Sequence, residues 1–138
     1  MLGEIILVDD LKPAELLAEV APYESRASQT WKQLNEFHFE SLFQIVSGSP
    51  EESFKDDIKV HTADDGEVWL VVISNDFRDL LASQSPENYQ ETANKWAVTD
   101  EFKWGWDKAD ILSLYGDLCA MAQKAKLKKQ ALVYWGRL

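Results

Sequence analysis

The side chains best suited to acid–base, metal or nucleophilic work in this 138-residue chain are His38, His61, Cys119 and 24 carboxylates. A structural zinc site draws four Cys, His or acidic ligands from closely spaced positions, and two separated histidines with one distant cysteine offer no such spacing. Asp64-Asp65-Gly66-Glu67 has the acidity of a calcium loop but neither its alternating ligands nor its distal Glu, so it reads as a solvated hairpin turn. No metal and no cofactor are expected. The six glycines stand singly at positions 3, 48, 66, 105, 116 and 136, so no phosphate-cradling loop can be built from them. No serine sits in a G-x-S-x-G elbow.

Carboxylates occur as neighbours at Asp9-Asp10, Glu51-Glu52, Asp56-Asp57, Asp64-Asp65 and Asp100-Glu101. Paired-acid hydrolysis needs two carboxyl groups at a fixed separation across a cleft, which sequence neighbours on a solvated turn do not supply. His61, close to Asp64 and Asp65, is the strongest candidate for a titrating group, although both histidines read equally well as surface or packing residues. Cys119 lies in the apolar run Leu118-Cys119-Ala120-Met121-Ala122, where a buried structural thiol is expected, and a lone cysteine forms no internal disulfide. No catalytic residue is assigned, and the reading leans against an enzyme.

Aromatic content is the unusual feature, at 12% with six tryptophans. Trp96, Trp104 and Trp106 gather with Phe102 around one connection between helices. Large rings fill volume in a small domain, which makes a core cluster the plain reading. Exposed tryptophans also anchor interfaces, which makes Trp96, Trp104 and Trp106, with the polar Asp100 and Glu101, the candidate partner- or ligand-binding residues. Because Trp104 and Trp106 are two residues apart, Trp106 is expected to pack inward and Trp104 to be the more exposed.

Net charge is -10, which opposes nucleic acid and anionic membranes as partners. The charge is uneven. Residues 119–138 hold Lys124, Lys126, Lys128, Lys129 and Arg137 without an acid, leaving nine basic groups against all 24 acids elsewhere, a net of -15. Lysines at a helix end suit the helix dipole. No positive n-region opens the chain, and the longest apolar runs, around 5–8 and 68–73, are too short to span a bilayer, so a cytoplasmic protein is expected.

The elements that must position these residues follow from periodicity and capping. Residues 3–10 predict a strand with the core run Ile5 to Val8, and Pro13 opens a helix striped by Leu16, Leu17 and Val20 and ended by Pro22. Residues 23–34 carry no clear period. Asn35 caps a helix with Phe39, Leu42, Phe43 and Val46 on one face and Gly48 as its stop. Strands at 58–62 and 67–73 flank the turn Ala63-Asp64-Asp65-Gly66. The second is apolar on both sides, with Trp69, Val71 and Ile73 opposite Val68, Leu70 and Val72, and is expected near the sheet centre. Ser74 or Asn75 starts a helix with Phe77, Leu80 and Leu81; Ser85 and Pro86 start another striped by Tyr89, Ala93, Trp96 and Ala97. Asp107 caps the longest, striped by Ile111, Leu114, Tyr115, Leu118, Ala122 and Ala125, and 131–135 form a last strand. No linker or repeat divides the chain. The expected fold is one α+β domain over 1–138, a small mixed or antiparallel sheet packed by about five helices.

Trp96-Ala97-Val98-Thr99-Asp100-Glu101, then Trp106 and its leucine-rich helix, then Leu132-Val133-Tyr134-Trp135-Gly136-Arg137-Leu138, resemble an uncharacterised family of small bacterial α+β proteins. That family carries a W-A-x-T-E-E segment, a tryptophan before a Leu/Ala-rich helix, and a terminal L-Y-L-W-x-S-L, from which Val133 and Arg137 depart. Leu42 to Gly48 is similar to its L-h-x-I-L-x-G segment, and the general layout is similar to YfbM-like proteins. The resemblance implies a bacterial cytosolic α+β protein and no activity. The leading functional expectation is a non-enzymatic protein that binds a protein partner, basic by charge complementarity and in one version the toxin of an immunity-type pair. The competing expectation is an enzyme or small-ligand binder with a pocket around Trp96 to Trp106.

Overall fold

The computed structural model describes residues 2–9, 12–18, 30–31, 34–48, 56–102 and 106–137. Val20, Pro22, the pair Glu51-Glu52 and Trp104 lie outside the described residues. In chain order the elements are β1 (Leu2–Val8), α1 (Pro13–Ala18), β2 (Thr30–Trp31), α2 (Glu36–Ser47), β3 (Ile58–Ala63), β4 (Val68–Ile73), α3 (Asn75–Ala82), α4 (Tyr89–Ala97), α5 (Lys108–Lys128) and β5 (Ala131–Arg137).

The helices start and stop where local chemistry puts them. Asn35 accepts the Phe37 N–H at 3.0 Å, and His38 returns the favour by accepting the Asn35 N–H on Nδ1 at 3.1 Å, a capping box with histidine in the usual Glu position. Gly48 ends α2 in the left-handed region at φ 68°. Ser74 caps α3 through the Phe77 N–H at 3.0 Å. Two expected caps differ. Asp107 occupies the N-cap position of α5 with extended backbone, but its exposed carboxylate makes no capping bond. Ser85 likewise makes none, and Pro86 opens a 3₁₀ turn over Pro86–Asn88 before α4 begins at Tyr89.

All strand pairs are antiparallel, in the order β2-β1-β5-β4-β3. β4 is interior, as its two apolar faces require, yet the middle place belongs to β5, which is buried from Leu132 through Gly136. The β3–β4 connection is turned by three successive positive φ values, at Asp64 (53°), Asp65 (54°) and Gly66 (87°), residue types that tolerate this region best.

The two sheet faces are unequal. One packs Ile5, Trp69, Val71, Ile73, Leu132 and Tyr134 against α2, α3, α4 and α5 in the main core. The other buries Ile6, Val8, Leu70, Val133 and Trp135, with Leu17 of α1 among the side chains packed on them. Among the described residues, no helix is long and apolar enough to cross a membrane.

Candidate functional site

Of the aromatic residues singled out by sequence, Trp96, Phe102 and Trp106 lie in one cluster between α2, α4 and α5. Trp96 is fully buried, and its indole N–H donates to the His38 carbonyl at 2.9 Å. Its ring meets Phe102 edge to face at a centroid distance of 4.9 Å and Tyr115 at 6.4 Å. Phe102 in turn meets His38 at 4.7 Å and Trp106 at 5.2 Å. Trp106 is half-buried against this core, as its inward packing predicted. Asp100 is exposed, and Glu101 presents its backbone carbonyl inward. A ring whose surface and N–H are both taken up by its own fold has nothing left to offer a ligand, so Trp96 works here as packing.

The histidines and the cysteine separate in the same way. His38 Nε2 lies 3.0 Å from the Glu101 carbonyl, an acceptor only, so that nitrogen carries the proton and Nδ1 accepts from Asn35. Burial pushes its pKa below the ordinary value, against the smaller opposing pull of the Glu101 carbonyl and carboxylate. His38 is a neutral strut between the start of α2 and the turn before α5. His61 is half-buried on β3, opposite Leu70, while Asp64 and Asp65 beyond it are exposed. Cys119 is buried beside Tyr115 and Tyr89, and burial pushes its thiol up to about 11, which keeps it protonated and unreactive at neutral pH. Among the described residues, no group of three or more His, Cys, Asp or Glu could hold a metal ion.

An open feature lies elsewhere. A cleft of about 290 Å³ is lined by Leu34, Asn35, Glu36, Val60, Thr62, Gly66 and Trp69. Its construction depends on sheet register. Gly3, Gly136 and Trp69 stand side by side across β1, β5 and β4. A Cβ at Gly136 would fall inside the Trp69 indole, and one at Gly3 inside the end of the Tyr134 ring. The two glycines therefore form a trench in which these rings lie flat enough to reach Leu34. The Trp69 N–H donates to the Leu34 carbonyl at 3.0 Å, and the Leu34 N–H donates to the Tyr134 hydroxyl at 3.1 Å. Both backbone groups of one residue are thus held, and that residue sets the position of the Asn35 cap.

The surroundings of the cleft are acidic. Glu36 stands in its wall, Asp56 and Asp57 precede β3, and Asp64, Asp65 and Glu67 follow it, against Lys59 on the strand. On the same helix, burial raises the Glu40 pKa, with smaller contributions from the nearby Glu36 and Glu101 carboxylates. Sequence reasoning missed Leu34 and placed Trp69 only as a core position. The available signal was the pair of glycines in strands that were otherwise apolar.

No protein-family model, no curated protein and no solved structure matches the chain. The likeness of its last third to a bacterial family accordingly stays an expectation.

Proposed function

We propose that the protein is a non-catalytic binding protein whose partner is a basic protein, in the manner of an immunity-type neutraliser acting in the cytoplasm. One observation carries this reading. Asp56, Asp64, Asp65 and Glu67 are exposed at the two ends of the hairpin β3–β4, and none of them pairs with a described cation. Carboxylates that no described cation pairs with, on a chain of net charge -10, attract a cationic partner and speed encounter, by factors that fall steeply with salt. The pocket reading around Trp96 to Trp106 has less support, because the Trp96 ring and N–H are occupied within the core.

The test is capture of the partner from the native cell with the parent protein and with the Asp64→Lys, Asp65→Lys, Glu67→Lys triple variant. A basic partner bound by the parent, released by moderate salt and lost by the triple variant is the expected result. A partner that is acidic, or that the charge reversal leaves in place, would sink the reading.

A further inference from the structure

The backbone of β3 carries the reading one step further. The Ser74 N–H donates to the Asp57 carbonyl at 2.8 Å, and these residues continue the β3–β4 register in which Ile58 faces Ile73. Position 57 is therefore a hydrogen-bonded site in the antiparallel ladder, and bonded and non-bonded sites alternate along a strand. Lys59, His61 and Ala63 turn their N–H and C=O groups toward β4. Ile58, Val60 and Thr62 turn theirs outward, to an edge that pairs with no other strand among the described residues. Val60 and Thr62 are also the β3 side chains that line the Trp69 cleft. The same two residues thus present unpaired backbone and an apolar recess side by side. Val60 is 37% exposed, so its side chain is open to a residue seated beside it.

We propose that the outer edge of β3 takes up a basic, extended segment of another polypeptide as an added strand, with an apolar side chain of that segment seated in the Trp69 cleft. The inference rests on the partner-binding reading above and specifies where and how the partner docks. Strand addition draws affinity from main-chain hydrogen bonds and selectivity from pockets that take alternate side chains, because residues directly opposite in a ladder share a face. A residue set opposite Val60 or Thr62 points to the cleft face, while its neighbours point away. Charge selects the segment. Asp56 and Asp57 lie at one end of the edge and Asp64, Asp65 and Glu67 at the other, with Glu36 in the cleft wall, so a lysine- or arginine-bearing strand finds opposite charge at both ends. A second copy of this acidic chain would meet its own charge there.

The probe is a short, end-blocked peptide of alternating lysine and valine, titrated at low salt into the ¹⁵N-labelled protein. Saturable shifts centred on the amides of Ile58, Val60 and Thr62 are expected. Methylating the peptide nitrogens that face β3 should weaken binding at least about tenfold, the loss expected from two or so backbone hydrogen bonds. Val60→Pro should do the same, because that N–H faces outward and the β4 ladder does not use it. The methylated peptide leaves the protein untouched, so the result does not depend on how well the proline variant folds. A glutamate–valine peptide should not bind. Shifts spread over the acidic surface and indifferent to methylation would overturn strand addition while leaving the partner-binding reading intact. No shift with the lysine–valine peptide would overturn both.

Discussion

Trp69 and Trp96 use one device in two settings. Each indole donates its N–H to a backbone carbonyl at the start of α2, Trp69 to Leu34 from the sheet and Trp96 to His38 from α4. Around Trp96 the remaining volume is closed by Phe102, Tyr115 and Trp106. Around Trp69 it is left open, because among the described residues β3 is an edge strand and Val60 and Thr62 line the cleft from it. Identical anchoring therefore gives a core in one place and a recess in the other. What decides is the neighbour, and an accumulation of tryptophans in sequence points to the sealed region rather than the open one.

The largest break in this comparison should come from Trp96→Ala. Removing a fully buried ring and its hydrogen bond should cost about 3–5 kcal/mol in denaturant unfolding. A loss under about 1 kcal/mol would mean that the cluster is not closed. Gly136→Ala and Gly3→Ala come next, at about 1–3 kcal/mol each, since the added methyl must push the Trp69 or Tyr134 ring out of the trench. Each should also change tryptophan fluorescence, and an unshifted spectrum with parental stability would show that the trench is not needed to hold Trp69.

A smaller effect tests the strut between the regions. His38 is neutral in the fold with its pKa lowered by burial, so the unfolded chain binds the extra proton first as pH falls. Its contribution is complete above the ordinary value of 6.5 and is lost as pH drops from 6.5 through the lowered folded value. The slope cannot exceed about 1.4 kcal/mol per pH unit for one proton. His38→Gln, which keeps a reciprocal capping side chain, should remove this slope from urea melts taken across that window. The smallest effect belongs to Asp107→Ala. With no capping bond to lose, only its interaction with the helix dipole goes, about 0.3–0.5 kcal/mol. A loss above about 1 kcal/mol would place a capping bond there after all.

What was legible in the sequence was whatever is decided within a few residues. Asn35 and Gly48 bracket α2, Ser74 starts α3, and the stripe from Ile111 to Ala125 is the buried face of α5, because capping and periodicity are local. The double-sided character of β4 was legible for the same reason. The cleft was not, because it needs the register that sets Gly3 beside Gly136 and Trp69, residues brought together only by strand pairing. Nor was the outward turn of Val60 and Thr62, which depends on which ladder positions are bonded. Asp107 misled in the opposite direction, since the right residue type at the right position does not by itself form the bond.

The place of β5 has a consequence for how the chain folds. It is the latest strand in chain order and yet lies between β1 and β4, so the pair β1–β2 and the hairpin β3–β4 have no contact across the sheet until it arrives. The Leu34–Tyr134 bond spans 100 residues, and the seven β1–β5 pairs run from Leu2–Arg137 to Val8–Ala131. Closing such long loops before their contacts can reward them slows folding. Until then two half-sheets expose apolar edges, and the strand that eventually joins them also takes away the surface on which misassembly would begin.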